Sequence, residues 1–161
     1  MASLLIITPV ERLQEKVNYI VKSFKDMPGI YVSLNKTQKS TEEILKISGI
    51  NTKKLFFIDC VASKKTRDDV LHIAPDRLDL LDSAVGAFIK SIKGKKFLVI
   101  DALATLLIYN NEDGVAKFVK KITEYASEKD VEIVALSPKT KGEELLNKIF
   151  NFFDKVEGRN G

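Results

Sequence analysis

The feature of this sequence that most constrains its fold is the alternation of short apolar runs with longer segments of helical periodicity. The runs are apolar at nearly every position, which is typical of strands covered on both faces. Strands of this kind separated by helices predict an α/β fold, a three-layer doubly wound sheet that is mainly parallel. The runs are residues 4–8, 30–34, 55–58, 97–100 and 131–136.

The intervening segments predict helices on both sides of the sheet. After Pro9, apolar residues recur every three or four positions through Phe24 and form one buried stripe. Ser40 or Thr41 is expected to cap the next helix. Further helices are predicted over residues 78–92, 112–127 and 143–153, followed by a short strand over 154–157. Residues 62–76 are predicted to form a loop with a short helical piece, with His72 packing in a helix. No linker or repeat interrupts the pattern, so residues 1–161 are expected to form one domain.

Composition argues against several classes of protein. A single cysteine, Cys60, excludes an internal disulfide and a cysteine-based metal cluster, and a single histidine argues against a zinc site or a Ser-His-Asp triad. No metal and no cofactor is therefore expected. The first apolar run is too short for a signal peptide or a membrane span, so a cytoplasmic location is expected. Many Lys and Ile residues with only two glutamines are typical of an archaeal or thermophilic source.

The charge balance favours a solvated surface over a nucleic-acid footprint. There are 26 basic and 22 acidic residues, which give a net charge of +4. Two basic clusters, Lys64-Lys65 with Arg67 and Lys93 with Lys95-Lys96, lack the interleaved aromatic residues on which bases stack. No nucleic-acid or membrane partner is expected, and a protein partner or a homo-oligomer is expected instead.

Several segments in order resemble the core of RecA/KaiC-type ATPases. Tyr31-Val32-Ser33-Leu34 resembles the second strand of KaiC-like domains, and residues 48–59 resemble the helix end, turn and strand that follow. Phe97-Leu98-Val99-Ile100-Asp101 is similar to the Walker B strand, which ends in an aspartate that orients Mg²⁺. Residues 131–137 and 153–156 resemble the closing segments. The resemblance implies a RecA/KaiC-like fold over nearly the whole chain.

The region that should bind phosphate departs from this family. A phosphate-binding loop needs glycines so that backbone amides can surround phosphate oxygens, yet the first glycine of this chain is Gly29. Where the loop is expected, Thr8, Pro9 and Val10 are followed by Glu11. Pro9 lacks an amide donor and Glu11 would repel a triphosphate. These residues predict an ordinary tight turn and a degenerate Walker A loop.

The position of the catalytic base departs as well. In KaiC-like ATPases paired glutamates after the second strand activate water, and the matching positions here are Asn35 and Lys36. Neither an amide nor an ammonium serves as a general base at neutral pH. No catalytic residue is therefore predicted. A vestigial nucleotide cleft is predicted instead, and its residues are Thr8, Pro9, Val10, Asn35, Lys36 and Asp101.

Two strand-end carboxylates have alternative roles. Asp101 either holds a polar ligand or caps a helical segment over residues 103–107, and the cap is the favoured interpretation. Asp59 also follows a strand, as does the phosphorylated aspartate of response-regulator receivers. The acidic pair that receivers need after their first strand is replaced by Thr8-Pro9, so this interpretation is not favoured.

The apolar run Leu106, Leu107, Ile108 and Tyr109 exceeds what one helical stripe can bury. It is either core or a subunit contact. The resulting hypothesis is a non-catalytic KaiC-like domain, a pseudo-ATPase, that acts through protein contacts as a regulatory or scaffold subunit. The alternative is a module that binds a nucleotide or other small ligand without hydrolysis.

Overall fold

A computed structural model of the protein describes residues 2–61, 70–139 and 143–158. Within these residues seven strands form one sheet in which every neighbouring pair is parallel. The strands are β1 Ser3–Thr8, β2 Gly29–Ser33, β3 Leu55–Asp59, β4 Leu71–His72, β5 Lys96–Ile100, β6 Val131–Pro138 and β7 Lys155–Glu157. Their order across the sheet is β4-β3-β2-β5-β6-β1-β7. The predicted doubly wound α/β fold is confirmed.

Helices cover both faces of the sheet, and each face has its own apolar layer. The helices are α1 Leu13–Ser23, α2 Gln38–Ile47, α3 Leu78–Ser91, α4 Glu112–Glu128 and α5 Glu143–Ile149. Residues of α1 and α2 pack on one face with Tyr31, Phe97 and Val99 of the strands. Residues of α3, α4 and α5 pack on the other face with Ile30 and Leu98. Because successive strand residues point to opposite faces, strands that are apolar throughout supply both layers.

The described part of the chain also contains short 3-10 helices. They explain why some helices begin or end at other residues than the sequence pattern predicts. They span Val10–Arg12, Thr52–Lys54, Leu103–Ile108 and Phe150–Phe152. Pro9 precedes the first of them instead of opening α1, and the last helix ends at Ile149. Short 3-10 segments are common at helix ends and as connectors between elements.

Two further local predictions were wrong. The cap of α2 is Thr37 and not Ser40 or Thr41, because the Thr37 side chain accepts a hydrogen bond from the Ser40 amide at 3.2 Å. His72 lies on the two-residue edge strand β4 and not in a helix. A loop with a short helical piece is predicted over residues 62–76, and residues 62–69 of this stretch lie outside the described residues.

Among the helices of the described residues, none is long and apolar enough to cross a membrane.

Candidate functional site

The predicted cleft residues lie at the edge of the sheet where the parallel strands end. Asp101 directly follows β5, and Asn35 and Lys36 follow the neighbouring strand β2 after Leu34. Thr8 ends β1 and Pro9 follows it, and β6 separates β1 from β5. The fold therefore brings Asp101 against the end of β2 and leaves the β1 end two strands away.

Asp101 is the centre of a buried hydrogen-bond network. Its side chain accepts three hydrogen bonds and the residue is only 4% exposed. Atom Oδ1 accepts the amides of Leu34 at 2.6 Å and Asn35 at 3.1 Å, and Oδ2 accepts the Tyr31 hydroxyl at 2.8 Å. The carboxylate thus fixes the backbone that leaves β2, because it satisfies two amides that have no partner in the sheet.

Protonation of this network is governed by burial. Burial raises the pKa of Asp101 to about 6, because removal from water disfavours the charged form. The three hydrogen bonds and the Lys36 ammonium oppose this rise by favouring the anion. Burial and the adjacent carboxylate raise the pKa of Tyr31 well above its ordinary value, so the phenol remains the donor of the pair.

The predicted capping role of Asp101 was wrong. The 3-10 helix Leu103–Ile108 begins after Ala102, and no side chain caps it. Ala102 has a left-handed backbone with φ 57° and ψ 60°, which turns the chain sharply after Asp101. The turn separates the carboxylate from the amides of the following helix and leaves it facing β2.

A second buried carboxylate, Asp59, holds the same connection from the other side. It ends β3 and is 4% exposed. Its Oδ2 accepts the first amide of α2, from Gln38, at 3.0 Å, and its Oδ1 accepts the Val61 amide at 2.9 Å. Atom Nδ1 of His72 lies 3.9 Å from Oδ2. The sequence placed Asp59 at a strand end but carried no signal of this role.

The connection after β2 is therefore anchored by acids on both neighbouring strands. Asp101 binds its first two amides and Asp59 binds the amide of Gln38. Ser33, at the end of β2, lies opposite Asp59 in the strand register, and its hydroxyl is buried with no hydrogen-bond partner among the described residues. Chain segments held in this way resist rearrangement, since each freed amide would lose a charge-assisted bond.

The β1–α1 junction is tight. Thr8 is buried, and its carbonyl accepts the Lys139 amide at 2.9 Å. Only Pro9 stands between β1 and the 3-10 helix Val10–Arg12, and the Pro9 carbonyl accepts the Arg12 amide at 2.9 Å. Val10 is 54% exposed and directed away from the core.

A line of polar side chains joins the end of β2 to α1 and α2. Lys36 Nζ donates to Gln14 Oε1 at 3.2 Å, and Gln14 Nε2 donates to Asn18 Oδ1 at 2.9 Å. Asn18 Nδ2 then donates to Ser48 Oγ at 3.0 Å, beyond the end of α2. Lys36 thus spans the predicted cleft and contacts α1, whereas Asn35 is exposed and contributes its backbone amide.

The predicted interface residues differ in exposure along the 3-10 helix Leu103–Ile108. Leu106 is fully buried and Leu107 is partly buried against the core. Ile108 is 74% exposed and Tyr109 is 48% exposed. Half of the run is therefore exposed, in agreement with a run that exceeds what one helical stripe can bury. Contact of Ile108 and Tyr109 with a partner stays a prediction.

Structural comparison defines the class of fold. The protein resembles the KaiC-like protein PH0186 of Pyrococcus horikoshii OT3, with a TM-score of 0.69 and 14% identity over 96% of this chain and 69% of that one. It resembles the uncharacterized protein PH0321 of Pyrococcus horikoshii, solved in complex with an unknown peptide, with a TM-score of 0.68 and 12% identity over 96% and 76% of the two chains. A third structure, solved as an ATPase domain, matches with a TM-score of 0.62 and 12% identity over 96% and 68%. The fold is that of KaiC-like and RecA-type ATPase domains.

Sequence comparison then places the chain in a family. Residues 30–159 match a family of unknown function, DUF7090, and the chain belongs to that family. No curated protein matches the sequence.

Proposed function

We propose that this chain is a KaiC-like domain that does not hydrolyse nucleotides and acts through protein contacts, as a regulatory or scaffold subunit. The observation that carries this proposal is the environment of Asp101. By sequence resemblance, Asp101 corresponds to the aspartate that orients Mg²⁺ in RecA/KaiC-type ATPases. In this chain it is buried, and both its carboxylate oxygens accept hydrogen bonds from other residues of the same chain. A carboxylate used in this way holds the fold together and has little capacity left for an ion.

The β1–α1 junction supports the same proposal, because its residues do not fit a triphosphate. Bound phosphate needs several converging amides, and the one residue between β1 and the following 3-10 helix is Pro9, which has none. The next residues include the exposed Glu11, whose charge opposes an anion.

The positions of the catalytic base also argue against hydrolysis. Asn35 supplies a backbone amide to Asp101, and the Lys36 ammonium donates to Gln14. A side-chain amide is not basic and an ammonium is already protonated, so neither side chain accepts a proton from water near neutral pH. The positions that would activate water therefore carry no general base in this chain.

The exposed apolar side chains suggest how such a domain acts. Ile108 and Tyr109 project from the edge of the sheet where ligands of open α/β folds are bound. A surface of this kind favours association with a protein. PH0321, which shares the fold, was solved with a bound peptide, so binding of a polypeptide is compatible with this architecture.

The proposal is tested by measuring Mg²⁺-dependent ATP hydrolysis for the wild type and for Asp101→Asn, a near-isosteric change that removes the negative charge and keeps an acceptor for the two backbone amides. We expect both proteins to equal a protein-free blank, with a KaiC-like ATPase that has an intact phosphate loop as the positive control. Turnover that is present in the wild type and lost in Asp101→Asn would contradict the proposal.

Ligand binding is tested separately by thermal shift with ATP, ADP and Mg²⁺. No shift is expected. A nucleotide-dependent shift that disappears in Lys36→Ala, without accompanying hydrolysis, would favour the alternative of a ligand-binding module.

A further inference from the structure

We infer that the layer formed by α1 and α2 is a docking surface for an acidic polypeptide that carries apolar side chains among its carboxylates. The surface consists of two exposed apolar side chains, Tyr19 and Ile47, and of the exposed lysines beside them. It is separate from Ile108 and Tyr109, which follow Leu106 of the apolar layer under α3, α4 and α5. The inference goes beyond the proposed function and is independent of the loss of hydrolysis.

The net positive charge of the protein is concentrated in this part of the chain. Residues 1–54, which contain α1 and α2, carry nine basic and five acidic residues, whereas residues 55–161 carry 17 of each. The whole excess of +4 thus belongs to about a third of the chain. Eight of the nine basic residues are exposed, and Lys36 is partly buried. A surface of this sign selects an acidic partner.

The lysines of this layer are not neutralised by ion pairs. On the opposite layer Lys121 pairs with Asp82 at 2.7 Å. Lys148 pairs there with Glu112 and Asp113 at 2.8 Å each. Among the described residues, no lysine of α1 or α2 forms such a pair. Their ammonium groups are therefore available to the carboxylates of another molecule.

The two apolar side chains point away from the sheet. Tyr19 lies midway between the buried Val17 and Val21 of α1. Ile47 lies two residues after the buried Leu45 of α2. Two residues of an α-helix turn the chain by about 200°, so both side chains face outward. Their exposed fractions are 70% and 87%, although burial of each would be favourable.

Tyr19 and Ile47 also belong to one patch, because α1 and α2 are in contact at this point. Asn18 Nδ2 donates to Ser48 Oγ at 3.0 Å. The residue before Tyr19 therefore touches the residue after Ile47. The two side chains are neighbours across the groove between the helices, and one partner segment can cover both.

Lysines flank both apolar residues. Lys16 and Lys22 lie three residues before and three residues after Tyr19, which places them one turn away on the surface of α1. Lys46 directly precedes Ile47 and is exposed. An apolar centre within a charged rim is the usual organisation of a protein–protein contact, and tyrosine is enriched at such centres.

Exposed acids on the same face favour a polypeptide over a nucleic acid. Glu15 lies four residues before Tyr19, and Glu43 lies four residues before Ile47. Residues four apart are neighbours on a helix, so each apolar side chain has a carboxylate beside it. These carboxylates would repel a continuous row of phosphates or of anionic lipid headgroups. A polypeptide can place its own carboxylates at the lysines and uncharged side chains at the two glutamates.

The experiment measures binding of a fluorescently labelled random copolymer of glutamate and tyrosine to the full chain by fluorescence anisotropy. Binding should be saturable and tighter than binding of polyglutamate of equal length, because only the copolymer offers side chains to the apolar centre. It should weaken as salt is added, because the exposed charges are screened.

Two double variants test the surface. Tyr19→Ser with Ile47→Ser removes the apolar centre, and Lys22→Glu with Lys46→Glu reverses two of the flanking charges. Each is expected to raise the Kd for the copolymer by about tenfold or more, as loss of central interface residues does.

Matched controls make the same kinds of change on the opposite layer. Leu80→Ser removes an apolar side chain of α3 that is 45% exposed. Lys90→Glu with Lys129→Glu changes the net charge as much as the lysine variant of the surface does. Both controls should bind the copolymer like the wild type, and circular dichroism should show all variants folded.

Several results would overturn the inference. They are a wild type that does not bind the copolymer, an apolar variant that binds like the wild type, or equal losses in the two lysine variants. Tighter binding of oligothymidylate or of phosphatidylglycerol vesicles than of the copolymer would also overturn it, and would assign the surface to nucleic acid or membrane. None of these results bears on hydrolysis. Conversely, ATP turnover that depends on Asp101 would refute the proposed function and leave this surface unaffected.

Discussion

The Tyr31 hydroxyl donates to Asp101 Oδ2 at 2.8 Å across two neighbouring strands, and both residues are almost fully buried. The pair places a polar contact within an apolar layer and, through Asp101, fixes the backbone that follows β2. The strand-end carboxylate that resembles a Walker B aspartate thus has a structural role in this chain, which gives the first two predictions.

Replacement of Asp101 by Ala should be far more harmful than replacement by Asn. Alanine leaves the Leu34 amide and the Tyr31 hydroxyl buried without a partner and removes the acceptor of the part-buried Asn35 amide. This should lower the free energy of unfolding by about 2–4 kcal/mol. Asparagine can accept both amides through Oδ1 and donate to the tyrosine oxygen through Nδ2. It loses only the acceptor of the tyrosine proton and no longer buries a charge, so at pH 7 it should stay within about 1 kcal/mol of the wild type. Urea denaturation monitored by circular dichroism measures both values. Equal losses would show that the network contributes little.

Asp101 should also make stability depend on pH. Its pKa is about 6 in the folded protein, against an ordinary value of 3.8, so between these values the folded state binds more protons than the unfolded one. The contribution of Asp101 is therefore fully present below pH 3.8 and is lost as pH rises through 6. The difference is about 3 kcal/mol between the two limits and about 2 kcal/mol between pH 4.5 and pH 7.5. Asp101→Asn should abolish this pH-dependent contribution to the free energy of unfolding. The contribution is obtained by measuring that free energy for the wild type and for Asp101→Asn at pH 4.5 and at pH 7.5, and subtracting the variant's value from the wild type's at each pH.

Cys60 should be unreactive in the folded protein. It is 2% exposed, and burial together with the Asp59 and Asp101 carboxylates raises its pKa to about 12. The thiolate is the reactive form, so labelling by iodoacetamide near neutral pH should be slow in native conditions and fast in denaturant. In native Asp101→Ala the labelling should accelerate, because that variant opens more often. Rapid labelling of the native wild type would contradict the buried position.

Gly29 should tolerate no side chain. A Cβ at this position would collide with the ring of Phe97, which stacks on Phe24 with ring centroids 4.3 Å apart. Gly29→Ala should cost about 1–3 kcal/mol, the usual effect of overpacking. Phe97→Leu frees space there, so the double variant should be more stable than the sum of the two single effects predicts. Strict additivity in denaturant titrations would argue against the contact.

The strands were predictable because burial on both faces makes them apolar at nearly every position. This pattern is carried by consecutive residues, so it can be recognised without knowledge of the tertiary structure. The two-residue β4 carries too little sequence for such a pattern, so the prediction of a helix at His72 was wrong. The role of Asp101 was missed for a different reason. An aspartate at the end of a strand can cap the next helix or accept hydrogen bonds from a neighbouring strand. The left-handed backbone of Ala102 selects the second role here, and an alanine in the sequence does not predict a left-handed backbone. The Asp59 contact with Gln38 likewise joins residues 21 positions apart.

The position of β1 has a consequence for how the chain is made. β1 pairs with β6 on one side and with β7 on the other, and the Ser3 amide donates to Asp154, 151 residues further along. On a ribosome that emits about 5–20 residues per second, β1 emerges seconds before either neighbour exists. β2, β3 and β5 can assemble in that interval, whereas β1 waits as an unpaired apolar strand. Until β6 emerges, both edges of β1 are therefore unpaired, and holdase chaperones or the β6 of another nascent chain can reach them first.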